Sequence, residues 1–375
     1  MTIEQWTITD ESAMRAAIAL GRLGTSAVRP NPLVGCVLVK DSEIIGEGFH
    51  ARAGGPHAEV VALAEAGERA RGSTAFVTLE PCNHFGRTPP CARALVDAGI
   101  QRVVIGVADP NPQAQGGAQA LRDAGIDVQI GVCAAECRDL AEVFLVTIET
   151  NRPFVQLKIA MTLDGRIAAA DGSSQWITGV AARGAVQALR GQSDAILIGS
   201  GTAVADNPRL NVRDNSRQTQ TQPLRVVADR RLRLSPQSHL ANTADQRTWI
   251  LTDGRLHGDR ERRTQLQNQG IELIDVRADA ADWLREALVQ LRQRGVQQVL
   301  CEGGAQLGSA LLTGHLVDRL DCFIAPKLLG AGRNAVENLS ILQLAHAQSW
   351  RFAAPQAIGD DVWLTARPIA RSQSE

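Results

Sequence analysis

The sequence contains no tyrosine, and aromatic residues fill only 3% of its 375 positions. Proteins that grip single-stranded nucleic acid rest the bases on aromatic rings, so this scarcity removes the usual platform. Charge of one sign is missing too, because 39 Lys and Arg against 40 Asp and Glu leave a net −1. That balance excludes the positive excess by which nucleic acid or an anionic membrane holds a protein. No uninterrupted apolar run reaches the ~20 residues needed to span a bilayer. The N-terminus, MTIEQWTITDESAMRAAIAL, has no basic segment followed by an apolar one, so no signal peptide is expected. The seven cysteines are odd in number and irregularly spaced (Cys36, Cys82, Cys91, Cys133, Cys137, Cys301 and Cys322), which excludes a disulfide framework. A reducing, cytoplasmic location follows as the expectation.

What is present describes a globular α/β chain. Hydrophobic residues make up 44% and charged residues 21%, a composition that packs a core and leaves little room for long disorder. At this length two domains are expected. In the first part, TDESAMRAAIALGRLG opens with cap-capable residues and carries apolar Met14, Ala17 and Ile18 on one face before a closing Gly24. LVGCVLVKDSEIIGEGFH reads as a strand, a turn at Asp41 and Ser42, and a second strand. STAFVTLEP and IQRVVIGVAD are further strands, and TPPCARALVDAG is a helix with Thr88 at its N-cap and two prolines in its first turn. DAGIQRVVIGV and DAGIDVQIGV repeat one helix-to-strand passage, too few copies for a solenoid. Past TIETNRPFVQLKIA the alternation begins again, so the expected domains are 1–150 and 151–375. The Arg- and Gln-rich RDNSRQTQTQ reads as a surface loop.

The stretch GGPHAEVVAL places His57 and Glu59 one residue apart where a turn enters a helix. Downstream, EPCNHFGRTPPC supplies Cys82 after a strand and Cys91 at a helix start. One imidazole and two thiolates make three corners of a tetrahedral zinc site whose fourth corner is left for water. A helix N-terminus favours a thiolate, which suits Cys91. Glu59 lies too near His57 in sequence to share the metal easily and is placed to carry protons for the water. The pattern matches the zinc nucleobase deaminases, His-x-Glu followed by Pro-Cys and a second Cys, although the two cysteines are usually closer. Taken singly, these residues read as a surface histidine, a buried thiol and an exposed helix-start acid. A closed structural zinc site needs a fourth protein ligand, for which His84 is the candidate.

With these motifs on the page, the chain resembles the bifunctional riboflavin-biosynthesis deaminase/reductase family. RPNPLVGCVLVKD, GGPHAEVVAL, TLEPCNHFGRTPPC and VADPNP are similar to its deaminase half. QLKIAMTLDGRIA, SQWITG, ILIGSGTAVADNPRLNVR and EGGAQLGSALL are similar to its reductase half, in the same order. The resemblance implies a cytidine-deaminase-like three-layer α/β/α domain followed by a dihydrofolate-reductase-like α/β domain. It implies zinc-dependent deamination of 2,5-diamino-6-ribosylamino-4(3H)-pyrimidinone 5′-phosphate, then NADPH-dependent reduction of the ribosyl to a ribityl side chain. His57, Cys82 and Cys91 then hold zinc, Glu59 shuttles protons, and Asn31 contacts the substrate unless it is only a turn-former between prolines. Arg87 is a further candidate for the substrate phosphate.

For the second half, the sequence lacks a GxGxxG between a strand and a helix, which argues against the doubly wound dinucleotide fold. VLCEGGAQLGSALL instead runs a strand through Gly303 and Gly304 into a helix, whose N-terminal N–H groups suit a phosphate. By resemblance, Ala160, Trp176, Thr202, Asp206 and the run Gly304, Ala305, Gln306, Leu307, Gly308, Ser309 and Ala310 contact the cofactor. Ser174, Arg190, Leu210, Arg213 and Glu302 contact the substrate, with the arginines suited to its phosphate. Trp176 reads equally as part of a buried turn. The proton donor for reduction is Lys158, Asp206 or Glu302. The implied partners are a small pyrimidine ribose phosphate and a second copy of the chain, with neither nucleic acid nor membrane. Two other classes stand beside this reading, a nucleic-acid deaminase with an accessory binding domain and a metal-stabilised binding protein without catalysis.

Overall fold

The computed structural model describes residues 8–84, 89–213, 222–255 and 260–369. Its contacts divide the chain into a first unit, Met1–Asn151, and a second, Arg152–Glu375. No helix among the described residues is long and apolar enough to cross a membrane.

In the first unit, α1 (Asp10–Gly21) begins at Thr9, whose hydroxyl accepts from Ser12 N in a reciprocal cap. The helix ends at Gly21, a turn before the Gly24 read as its stop. Strands β1 (Gly35–Lys40) and β2 (Glu43–Phe49) form a hairpin through Asp41 and Ser42, both left-handed with φ 50° and 61°. Helix α2 (Ala58–Ala66) leads to β3 (Thr74–Leu79), α3 (Cys91–Asp97) and β4 (Arg102–Val107). Then follow α4 (Gly117–Asp123), β5 (Asp127–Ile130), α5 (Ala134–Leu140) and α6 (Glu142–Thr150). The strand order is β2-β1-β3-β4-β5, parallel from β3 to β5.

Alternate residues of these strands feed two cores. Cys36, Leu38, Val77, Val103 and Ile105 pack with α2, α3 and α4, while Val37, Phe76 and Val104 pack with α1 and α5. Helices therefore cover both faces of one sheet, the three layers expected from the sequence. The repeated DAG passages are two parallel α-to-β turns, each closed by a glycine, Gly99 at φ 75° and Gly125 at φ 84°.

The second unit runs β6 (Phe154–Thr162), β7 (Arg166–Ala168), α7 (Val180–Gln192), β8 (Ala195–Gly199), α8 (Ser200–Asp206) and β9 (Leu224–Ala228). It continues through β10 (Thr248–Asp253), α9 (Arg260–Asn268), β11 (Glu272–Val276), α10 (Trp283–Gln293), β12 (Gln298–Cys301) and α11 (Ala305–Thr313). The chain finishes with β13 (Arg319–Ala325), β14 (Arg333–Asn334), β15 (Trp350–Phe352), β16 (Gln356–Ile358) and β17 (Asp361–Pro368). A ten-stranded sheet has the order β11-β10-β9-β8-β12-β6-β13-β17-β15, with β16 also on β17. It is parallel from β11 to β13 and antiparallel where β17 joins. Strands buried on both faces explain the unbroken apolar run AILIG of β8, and in LRVVA of β9 only Arg225 interrupts it, its guanidinium donating to the carbonyls of Asn242 and Gln246. Helices α10 and α11 pack against Leu157, Leu197 and Val299, and α7 and α9 lie on the opposite face against Leu300 and Ile196.

Candidate functional site

Helix α2 reaches the first site because β2 yields room for it. A Cβ on Gly48 would lie 2.1 Å from Ala58 O, so only glycine lets the first turn of α2 press onto the strand. His57 is the N-cap of that helix and Glu59 lies in its first turn. Cys82 follows the end of β3, and Cys91 is the first residue of α3. Pro90 is the N-cap with extended ψ, so both prolines precede the helix instead of occupying its first turn. A residue ahead of a proline is pushed out of the helical region, which holds Pro89 outside α3. Thr88 and Arg87 lie outside the described residues.

The donor atoms of His57, Cys82 and Cys91 all lie within 4.8 Å of one another. His57 Nδ1 is 3.2 Å from Cys91 Sγ and 3.6 Å from Cys82 Sγ. Zinc–nitrogen and zinc–sulfur bonds of ~2.0 and ~2.3 Å give tetrahedral edges of about 3.5 Å, so this donor set fits the ion. His84 is exposed and stands outside the group, which leaves three protein ligands among the described residues.

At Cys82 the electrostatics agree with that chemistry. Hydrogen bonds from Cys91 and His57 hold the Cys82 thiol down at about 4, a thiolate at neutral pH. The bond to Cys82 raises the His57 pKa in turn. Cys91, facing that thiolate from a buried position, is pushed upward. Glu59 is 3% exposed and burial raises its carboxyl. Its Oε2 has no hydrogen-bond partner among the described residues. A buried polar atom left open in this way marks a place for a water or ligand group.

Asn31 is next to this group through His50, a residue without a sequence signature of its own. The Asn31 amide Nδ2 and His50 Nε2 are 3.0 Å apart, and His50 Nδ1 is 3.0 Å from Pro56 O. A carbonyl only accepts, so the shared proton sits on Nδ1 and Nε2 accepts from Asn31. Burial lowers the His50 pKa and keeps the ring neutral. The His50 ring meets His57 edge to face at 5.2 Å. Asp109 belongs here as well, since burial raises its carboxyl and the charges of Glu80 and Cys82 add to the effect.

In the second unit, β6, β12 and α7 converge on a charged cluster. Arg190 Nε and Nη2 donate to the two oxygens of Glu302 at 2.5 and 3.0 Å, and Lys158 Nζ stands 4.0 Å from the same carboxylate. Burial works against the Glu302 charge, but Arg190 and Lys158 outweigh it and hold the carboxyl below its usual value. Burial lowers the Lys158 pKa against the pull of Glu302. Arg213 acts on Glu302 through space, while its backbone N–H donates to Gln187 Oε1 at 2.9 Å.

Gly304 is the N-cap of α11, and its N–H donates to Thr202 Oγ1 at 3.0 Å, joining two of the residues read as cofactor contacts. The run from Gly304 to Ala310 does not present one face. Ala305, Gly308 and Ser309 turn inward, and Ser309 Oγ accepts from Glu337 N, whereas Gln306 and Ala310 are exposed. Helical periodicity permits only the first turn to face a ligand at the N-terminus. Ala160 lies partly buried on β6 and packs beside Phe323. Trp176 is 61% exposed, so the buried-turn alternative does not hold. Lys327 Nζ donates to its carbonyl, and the Arg183 guanidinium lies 4.6 Å from its ring centre. Ser174 is exposed in the same loop. Leu210 has φ 53° and buries its side chain among Ile196, Ile198 and Leu240, and its carbonyl accepts from Gln246 Nε2 at 3.1 Å, so its side chain does not face a substrate. Asp206 is exposed at the end of α8, and among the described residues it takes no part in the Lys158 cluster.

Known proteins match both units. Residues 7–107 match the cytidine and deoxycytidylate deaminase zinc-binding region, and residues 153–364 match the RibD C-terminal domain. The chain is 43% identical over 367 residues to the Escherichia coli riboflavin biosynthesis protein RibD, covering 95% of this chain and 98% of that one. Among solved structures, Acinetobacter baumannii RibD is similar with a TM-score of 0.82 at 41% identity, over 96% of this chain and 99% of the other. A Thermotoga maritima diaminohydroxyphosphoribosylaminopyrimidine deaminase/5-amino-6-(5-phosphoribosylamino)uracil reductase gives a TM-score of 0.80 at 34% identity, over 96% and 99% of the two chains.

Proposed function

From the premise that the chain belongs to the RibD family of bifunctional riboflavin-biosynthesis enzymes, we propose the residues and cofactors by which it works. The chain is a deaminase joined to a pyrimidine reductase. The first unit deaminates 2,5-diamino-6-ribosylamino-4(3H)-pyrimidinone 5′-phosphate, and the second reduces the ribosyl side chain of the product. The observation that carries the assignment is the unpartnered Oε2 of buried Glu59 beside the His57–Cys82–Cys91 donor set.

His57, Cys82 and Cys91 hold the zinc. When bound, the ion supplies Lewis acidity that brings a water within reach of deprotonation near neutral pH. Glu59 Oε2 takes the water's proton as oxygen adds to the amino-bearing ring carbon, and passes it to the ring nitrogen. The carboxylate then takes the second proton from the hydroxyl added to the ring carbon and delivers it to the amine, which leaves as ammonia while that hydroxyl becomes the carbonyl. Burial raises the affinity of Glu59 for that proton, which suits a group that must both receive and return it. The neutral His50 fixes the Asn31 amide, leaving the asparagine carbonyl for the pyrimidine edge.

For reduction, NADPH supplies the hydride to the open-chain carbon of the sugar. Thr202 orders the turn into α11, so the N–H groups of its first turn face a pyrophosphate. Arg190 and Arg213 take the substrate phosphate side, and Glu302 holds Arg190 in orientation. Lys158 Nζ is the proton source. Arg190 keeps its proton at all working pH, Glu302 is held as an anion, and Asp206 stands apart from the cluster. The enzyme works in the cytoplasm without nucleic acid, with none of its seven cysteines in a disulfide. It pairs with a second copy through the second unit, where Leu328, Leu342, Leu344 and Phe352 expose apolar surface. A two-step turnover assay with metal analysis tests the assignment. Ammonia release followed by NADPH oxidation, with one zinc per chain, is expected, and turnover on RNA alone contradicts it.

A further inference from the structure

Glu80 is the first residue beyond β3 and stands two positions ahead of Cys82. Its backbone N–H continues the pairing with β4 through Val107 O at 2.9 Å. Glu80 is 9% exposed, and both oxygens of its side chain are spent on backbone amides. Oε2 accepts from Asp109 N at 3.0 Å, and Oε1 accepts from Gly116 N at 3.1 Å and Ala118 N at 2.9 Å. These donors stand at the two feet of one loop, so a single carboxylate closes it. Helix α4 has no side-chain cap of its own, because its N-cap is Gly116 at φ 94°. Glu80 therefore takes the amides that a capping side chain would otherwise satisfy.

The closed loop bears directly on the metal ligand. Asn83 N donates to Ala114 O at 3.0 Å, so the residue after Cys82 is tied to the crest of the loop. At the foot, Gly117 passes so near that a Cβ there would lie 1.8 Å from Pro81 O. Within the loop, Asp109 Oδ1 accepts from Asn111 N and Asn111 Oδ1 from Gln113 N, which makes the segment a self-braced unit. Pro81 and Asn83, the neighbours of Cys82 on either side, are thus both held by a segment whose position Glu80 sets.

We propose that Glu80 is a positioning residue of the metal centre: by gathering the amides of Asp109, Gly116 and Ala118 it holds the 109–118 loop against Pro81 and Asn83, and so holds the Cys82 sulfur in place for the ion. The role rests on the zinc-deaminase reading of the first unit. Groups that orient metal ligands from outside the coordination sphere cost about 10- to 100-fold in metal affinity when removed.

The test measures zinc affinity of the full-length protein by chelator competition for the wild type, Glu80→Gln and Glu80→Ala. A glutamine keeps one acceptor oxygen and turns an N–H₂ group toward the remaining donors, so its effect falls between the other two. Zinc binding about 10- to 100-fold weaker in Glu80→Ala and intermediate in Glu80→Gln is expected, with ammonia release per bound zinc near the wild-type rate. Amide hydrogen exchange over 109–118, at a temperature where zinc-free protein is folded, is expected to speed up in both variants. Should Glu80→Ala fail to fold, Glu80→Gln carries the comparison alone. Unchanged zinc affinity, or unchanged exchange in the loop, overturns the role and leaves Glu80 with stability alone. A wild type that binds no zinc refutes the deaminase reading instead.

Discussion

The two units of this chain assemble charge in opposite ways. The first draws its metal-donor group from a short span of sequence, His57, Cys82 and Cys91, and among the described residues leaves one buried oxygen of Glu59 open. The second joins residues 112 positions apart, Arg190 and Glu302, and satisfies both oxygens of the carboxylate. A metal centre needs donors converging on a point and a reactive group kept free beside them. A site for an anionic substrate needs cations already oriented, so its acid is consumed in orienting them. The contrast teaches that an unpaired buried oxygen signals chemistry in the first unit, whereas a fully paired one signals positioning in the second.

The largest effects separate the units altogether. Cys82→Ser removes one of the three proposed ligands, and zinc content and ammonia release are expected to vanish while NADPH-dependent reduction persists. Metal analysis beside both assays checks this. Glu59→Gln keeps the shape and removes the proton carrier. Deamination is expected to fall by about 10²- to 10⁴-fold in kcat with zinc retained, as steady-state kinetics and metal content will report. Equal loss of both activities in either variant would break the division between the units.

Smaller effects sharpen the comparison inside the second unit. Arg213→Ala removes the charge proposed to meet the substrate phosphate and is expected to raise the KM for the reductase substrate roughly 10-fold or more, with deamination unaltered. Glu302→Gln withdraws the anion that holds the proton on Lys158, against the burial that expels it. The Lys158 pKa then drops, so the basic limb of the reductase pH profile moves toward acid. A profile that stays in place would remove Lys158 from the proton transfer.

Much of this contrast was legible in the sequence because its signals are local. The turn at Asp41 and Ser42 sits between two β-rich runs, and His-Ala-Glu ahead of an apolar helix marks its own N-terminus. Cys91 was placed at a helix start, although its prolines fall before the helix, since Pro90 takes the N-cap. What could not be read depends on contacts that no spacing encodes. Glu80 meets amides 29 to 38 residues away, and His50 meets Asn31 across 19. The run from Gly304 to Ala310 looks continuous as a string, yet helical geometry turns Ser309 into the protein. Leu210 likewise gave no sign that its side chain belongs to the core while its backbone adopts φ 53°.

The account turns on the coordination of one ion, which zinc X-ray absorption of the purified wild type reports directly. It predicts two sulfurs at ~2.3 Å with one nitrogen and one oxygen at ~2.0 Å, the oxygen being exchangeable solvent. A shell without sulfur, or one closed by a second imidazole such as that of His84, would contradict it.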